Sequence, residues 1–135
     1  MFSSMHVVQF AGWSRSGKTT LISELIRRLV ARGERVAAIK HTHHPLVHEN
    51  RGDTAEFLAA GATLAILAGD GEAIVFTSDA SHHIKYDSPD ELPNHCGDVD
   101  LVIVEGFKHF AGWARFDVAA DAESVLANVD RIRRS

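Results

Sequence analysis

The chain has 135 residues and a formal net charge of −4, with 45% hydrophobic and 24% charged residues. This length is typical of one domain, so residues 1–135 are predicted to form a single domain with a buried core. The acidic balance argues against a nucleic-acid-binding surface, which needs a clustered basic excess. No stretch approaches the roughly 20 apolar residues that span a bilayer, no secretory signal is visible, and the single Cys96 excludes an intrachain disulfide. We therefore expect a cytoplasmic protein without nucleic-acid or membrane partners.

A Gly-rich segment, residues 12–19, follows an apolar run at residues 7–10 and opens an amphipathic stretch. It reads Gly-Trp-Ser-Arg-Ser-Gly-Lys-Thr, the Gly-x-x-x-x-Gly-Lys-Ser/Thr pattern of a phosphate-binding loop in its strand–loop–helix context. Backbone N–H groups of such a loop and the positive end of the helix dipole contact phosphate oxygens. Lys18 is predicted to reach the β/γ-phosphates and Thr19 to hold Mg²⁺. The loop residues predicted to bind the nucleotide are Gly12, Ser14, Arg15, Ser16 and Gly17.

The amphipathic stretch predicts a helix from about Lys18 to Arg32, ended by Gly33 in the left-handed conformation. The nearly continuous apolar run at residues 36–40 then predicts a parallel strand covered on both faces. Strand, helix and strand together form a βαβ unit, whose crossover is right-handed in most proteins. The loop at residues 41–45 is therefore predicted to lie beside the phosphate-binding loop.

A short helix is predicted between Asp53 and Gly61, with the glycine as its stop. Asp53 itself has two interpretations. It is either the N-cap of this helix or a switch residue that senses Mg²⁺ or the γ-phosphate, and the two roles are compatible.

The next part of the chain is predicted to form an antiparallel hairpin. Two β-like runs, residues 64–67 and 73–76, are joined through the Gly-rich connection at residues 69–71. Residues 77–94 show no clean period, so we predict a loop there with at most one helical turn.

The most hydrophobic run, residues 101–104, predicts a central strand that delivers Glu105 to the edge of the phosphate-binding loop. Glu105 is therefore the first choice for the acidic group that holds the metal ion, with a surface carboxylate as the alternative. Asp100 lies at the opposite edge and is predicted to be structural. A strand at residues 115–118 and a closing helix at about residues 122–133 complete the chain.

Lysine and histidine cluster directly after the second strand, at Lys40, His41, His43 and His44. Zinc is disfavoured because no matching cysteine pair exists. We predict that these four residues line a pocket for phosphate or another anionic ligand, with a solvated His-rich loop as the alternative.

Four segments in this order, residues 12–20, 38–44, 53–62 and 100–108, resemble those of the MobB-type molybdopterin-guanine dinucleotide biosynthesis adaptor proteins. The resemblance covers about residues 6–118. It implies a P-loop NTPase-like α/β fold with a mostly parallel central sheet flanked by helices and an antiparallel hairpin extension. It also implies a homodimer with weak GTPase activity, the cofactors GTP and Mg²⁺, and a molybdopterin guanylyltransferase as partner protein.

Position by position, the resemblance implies that Glu105 and Asp53 lie near the metal and that the hairpin extends the sheet across the dimer. The residues it implies for binding phosphates and Mg²⁺ are Gly12, Ser16, Gly17, Lys18, Thr19 and Thr20.

The function predicted from these features is that of a GTP-binding accessory protein assisting the attachment of GMP to molybdopterin. The sequence contains no Asn-Lys-x-Asp guanine-reading motif and no evident Gln or Arg finger, so any hydrolysis is expected to be slow. Two alternatives remain open. One is a P-loop small-molecule kinase in which Asp53 or a loop histidine positions an acceptor hydroxyl, and the other is a nonhydrolysing nucleotide- or cofactor-binding module.

Overall fold

A computed structural model describes residues 5–11, 18–46, 52–117 and 121–134. The predicted loop residues Gly12, Ser14, Arg15, Ser16 and Gly17 lie outside these ranges. In chain order the elements are β1 His6–Ala11, α1 Lys18–Ala31, β2 Val36–His41, α2 Asp53–Ala59, β3 Leu64–Ala68, β4 Glu72–Phe76, β5 Ser81–Lys85, a 3₁₀ helix Pro89–His95, β6 Leu101–Glu105, β7 Ala114–Asp117 and α3 Ala122–Arg134.

The strands form one seven-stranded sheet in the order β5-β4-β3-β2-β6-β1-β7. The strands β3, β2, β6, β1 and β7 are neighbours in this order, and each pairs in parallel with the next. Strand β4 pairs antiparallel with both β3 and β5. Glu105 at the end of β6 lies in register with Lys40 on one side and Phe10 on the other. These pairings confirm the predicted central strand and the predicted hairpin.

The two faces of the sheet are covered differently. Buried residues of all three α-helices pack with Val8, Phe10, Ala38 and Ile103 in one core cluster. The cluster on the opposite face contains no described α-helical residue, and its cover comes from the chain around Tyr86, Leu92 and Cys96 and from Phe107. Because side chains alternate along a strand, β1, β2, β3 and β6 each supply residues to both clusters.

Helix α1 follows its predicted pattern closely. Its buried apolar residues are Ile22, Leu25, Ile26 and Leu29, which recur at the spacing of one helical face. Gly33 has a φ of 86° and donates its N–H to the carbonyl of Val30, so it ends the helix in the predicted conformation.

The prediction that Asp53 caps α2 is wrong. Gly52 occupies the N-cap position with a φ of 71° and makes no side-chain cap hydrogen bond. Asp53 is the first helical residue, and its carboxylate pairs instead with the ammonium of Lys40 at 2.8 Å. An ion pair to a partly buried lysine competes successfully with the backbone N–H groups of the first turn.

The prediction of a loop at residues 77–94 is also wrong in part, because the structure places β5 and most of the 3₁₀ helix there. Strand β5 is an edge strand with mostly exposed side chains, so its sequence lacks alternating hydrophobicity. The 3₁₀ helix begins with a capping box, in which the Glu91 carboxylate accepts the N–H of Ser88 at 2.8 Å.

The predicted structural role of Asp100 agrees with its contacts. Its carboxylate accepts the backbone N–H of Arg35 at 2.9 Å, at the opposite edge of the sheet from Glu105. In the part of the chain that the structure describes, no helix has the length and hydrophobicity needed to cross a membrane.

Cys96 packs on the second face of the sheet, and its reactivity tests this packing. The residue is 2% exposed, and burial raises the pKa of its thiol to about 12. Because only the thiolate reacts, we expect iodoacetamide at pH 8 to alkylate the native protein at least about a hundredfold more slowly than the urea-unfolded chain. Mass spectrometry measures both rates. Equal rates would contradict the packing of Cys96 against the sheet.

Candidate functional site

Four elements bring polar side chains to one point at the carboxyl end of the central strands. Lys40 of β2 and Glu105 of β6 are neighbours in register. The alternation of side chains along each strand places both on the face that the α-helices cover. The Lys40 ammonium lies 2.7 Å from Oε2 of Glu105 and 2.8 Å from Oδ2 of Asp53. The hydroxyl of Thr19, in the first turn of α1, lies 3.5 Å from Oε1 of Glu105.

One ammonium therefore serves two carboxylates in a partly dry environment. The side chain of Glu105 is 4% exposed, against 25% for Lys40 and 31% for Asp53. Burial lowers the pKa of Lys40, but its hydrogen bonds to Asp53 and Glu105 outweigh burial and raise the pKa above its ordinary value. Lys40 is consequently charged at neutral pH.

The donor atoms at this point suit a hard divalent cation. Mg²⁺ prefers oxygen ligands and is usually held by one or two carboxylates together with waters and phosphate oxygens. The Thr19 hydroxyl and the Glu105 carboxylate supply such oxygens, and Thr19 is the last residue of the predicted phosphate-binding sequence. Among the described residues, no group of three or more His, Cys, Asp and Glu side chains is arranged to hold a metal ion by itself. The donor set fits a cation that arrives with phosphate ligands.

A cavity of about 780 Å³ lies at the same edge of the sheet, within the size range of ligand sites. All four residues of the predicted anion pocket line it, namely Lys40, His41, His43 and His44. Lys40 and His41 nevertheless point to opposite faces of β2, because successive side chains alternate. The Lys40 ammonium is engaged by two carboxylates, whereas the His41 ring lines the cavity wall. Binding of an anion here remains a prediction.

The His41 ring contacts Phe107, Asp70 and His43. Its ring stacks on Phe107 with a centroid distance of 4.1 Å and an interplanar angle of 10°, and its Nε2 lies 3.1 Å from Oδ1 of Asp70. The stack requires a close approach of two chain segments. Gly106 has a φ of 101°, and a Cβ at this position would lie 2.9 Å from the Cβ of His41. Only glycine fits this turn without strain.

Gln9 is a site residue that the sequence did not reveal. It is fully buried, and its Nε2 donates to the carbonyls of Gly106 and Phe107 at 2.8 and 2.7 Å. Its Oε1 in turn accepts Nε of Arg115 at 3.4 Å. The only available signal was a polar residue inside an apolar strand. Gln9 therefore ties β1, which leads into the predicted loop, to the turn that follows Glu105.

Two other predicted site residues, Lys18 and Thr20, belong to α1. Lys18 is the first residue of α1, and Thr20 is an exposed residue in the first turn of the same helix. The structure thus brings Thr19, Glu105, Asp53 and Lys40 together, and places the start of α1 beside them.

Comparison with known proteins gives the family. A sequence profile described as Molybdopterin guanine dinucleotide synthesis protein B, MobB, matches residues 7–124. The chain belongs to the MobB family. The molybdopterin-guanine dinucleotide biosynthesis adapter protein of Escherichia coli is 38% identical in an alignment that covers 76% of this chain and 59% of that protein.

Two further MobB proteins are similar to the chain. The adapter protein of the same description from Haemophilus influenzae is 38% identical, over 80% of this chain and 60% of that protein. The chain thus spans about three fifths of the length of the curated relatives it matches. The crystal structure of Bacillus subtilis MobB has a TM-score of 0.52 at 21% identity and covers 90% of this chain and 72% of that chain. This similarity confirms the predicted P-loop NTPase-like α/β fold.

The turn after Glu105 provides a test of the site geometry. Gly106→Ala is expected to lower the free energy of unfolding by roughly 3 kcal/mol, because the new methyl group meets His41 at a strained φ. Gly97→Ala is the matched control. Gly97 also has a positive φ, 74°, but a Cβ there meets no heavy atom within 4 Å, so about 1 kcal/mol is expected. Urea denaturation measures both, and equal losses would contradict the close approach.

Proposed function

We propose that this MobB-family protein binds GTP and Mg²⁺ through residues 12–20 and through Glu105 at the end of β6. We further propose that it has weak GTPase activity and assists a molybdopterin guanylyltransferase in attaching GMP to molybdopterin. The observation that carries the proposal is the Glu105 carboxylate beside the hydroxyl of Thr19. Thr19 is the last residue of the Gly-x-x-x-x-Gly-Lys-Thr sequence. Relatives named molybdopterin-guanine dinucleotide biosynthesis adapter proteins support the proposed role.

Each residue has a proposed part in binding. The N–H groups of residues 12–17 and the side chain of Lys18 hold phosphate oxygens, and Thr20 contributes from the first turn of α1. Thr19 and Glu105 hold Mg²⁺, directly or through water, with Asp53 nearby. Bound Mg²⁺ neutralises charge on the phosphates.

Weak hydrolysis follows from how the carboxylates are used. A general base must reach the attacking water and accept its proton. Oε2 of Glu105 and Oδ2 of Asp53 are already occupied by the Lys40 ammonium, so these two oxygens are not open to an attacking water. This pairing supports a protein that holds GTP and presents it to a partner.

We also propose that the protein acts as a homodimer through the β3–β4–β5 side of the sheet. Strand β5 is an edge strand, and the exposed main-chain groups of such a strand can pair with a second chain. A single domain over residues 1–135 and a cytoplasmic location belong to the same proposal.

Nucleotide binding is tested with Lys18→Ala. We expect this substitution to weaken GTP binding in the presence of Mg²⁺ by at least about tenfold, because a charge-assisted contact to the phosphates is lost. Arg131→Ala, at an exposed position of α3, also removes one positive charge and is expected to leave affinity unchanged. Isothermal titration with GTP and with ATP measures affinity and base preference. Equal affinities for the wild-type protein and Lys18→Ala would contradict the proposed loop.

The adaptor role is tested by adding the protein to a molybdopterin guanylyltransferase with molybdopterin and GTP. We expect more molybdopterin guanine dinucleotide to form with the wild-type protein than with Lys18→Ala, and single-turnover GTP hydrolysis to be slow without the partner. No increase in product would contradict the adaptor role. Nucleotide turnover that depends on a small-molecule acceptor would instead favour a kinase.

A further inference from the structure

Lys40 already occupies the position of a cation in the site that we propose for Mg²⁺. Its ammonium lies within 2.8 Å of oxygens from Glu105 on β6 and Asp53 on α2, two carboxylates that come from separate elements. Like charges at such short range repel each other, and a shared counter-ion relieves that repulsion. Lys40 therefore stabilises the arrangement of both carboxylates without a metal ion.

The charge count makes the site unfavourable for a lone divalent cation. Counted over the side chains that the structure describes here, the formal charges of two carboxylates and one ammonium sum to one negative charge, so a divalent cation would add an excess of positive charge where Glu105 is almost fully buried. Such an uncompensated charge is costly away from water. A nucleotide triphosphate changes the balance, because its phosphates add enough negative charge to accommodate both cations.

We propose that Lys40 makes metal binding at this site depend on nucleotide: its ammonium excludes free divalent cations from Glu105 and Asp53, and phosphate groups are needed to overcome this exclusion. Lys40 is thus a positioning residue that sets the order of binding. The inference rests on the proposed Mg²⁺–GTP site, and it assigns Lys40 a role different from contact with an anion in the adjacent cavity.

The direct test is Mn²⁺ binding to the nucleotide-free protein, followed by the electron paramagnetic resonance signal of free Mn²⁺. Mn²⁺ takes the same oxygen ligands as Mg²⁺. The substitution Lys40→Met removes the ammonium, and we expect it to tighten Mn²⁺ binding at least about tenfold, as expected for removing a positive charge a few ångströms from the metal. Unchanged affinity would overturn the proposal.

Three further variants make this test specific. Lys108→Met removes an exposed lysine that lines the cavity and is expected to leave Mn²⁺ affinity at the wild-type value. Lys40→Arg keeps the charge and is expected to resemble the wild-type protein. Because Lys40→Met leaves two carboxylates facing each other, Lys40→Gln serves as a second neutral variant that can still donate hydrogen bonds. Circular dichroism confirms folding, and tightening in the folded neutral variant supports the proposal.

The same samples separate this inference from the proposed function. If the wild-type protein does not bind GTP, the proposed function fails, whereas the comparison of Mn²⁺ affinities still decides whether Lys40 excludes metal. If GTP binds but the neutral variants bind Mn²⁺ no more tightly than the wild-type protein, the proposed function stands and the exclusion by Lys40 is refuted.

Discussion

The ion pair between Lys40 and Glu105 is the contact on which the functional edge of the sheet depends. The two residues end neighbouring central strands in register, and the side chain of Glu105 is almost completely buried. A buried carboxylate without a partner is strongly destabilising, so the strands must end side by side. The same ammonium holds the start of α2 through Asp53, and the same carboxylate lies beside Thr19 of α1. One charge pair thus connects four elements.

Because side chains alternate along each strand, the carboxyl end of the sheet has two regions, one on each face. Lys40 and Glu105 lie on the face of the α-helices, whereas His41 lines the cavity and stacks on Phe107. The turn at Gly106 links the two regions, because its backbone passes close enough to His41 for the stack to form. Through Gly106, the charged group on the helix-covered face and the cavity on the opposite face therefore lie close together.

The sequence predicts best the elements whose apolar residues follow a clear period, such as α1 and β6, because burial on a defined face dictates that period. Strand β5 was missed because an edge strand buries too little to impose one. The role of Asp53 as a cap was overridden by a long-range ion pair to Lys40, which local spacing cannot reveal. Gln9 was missed for the same reason, since its partners lie 97 and 98 residues away.

Membership of the MobB family and the donor set at Thr19 and Glu105 support the same account, in which this edge of the sheet holds Mg²⁺ and a guanine nucleotide. The most direct measurement is a crystal structure with a nonhydrolysable GTP analogue and Mn²⁺, located by its anomalous scattering. The account predicts phosphates against residues 12–19 and a metal ion about 2.1 Å from the Thr19 hydroxyl, with Glu105 as a direct or water-mediated ligand. Phosphates bound elsewhere, or a metal ion that contacts neither residue, would contradict it.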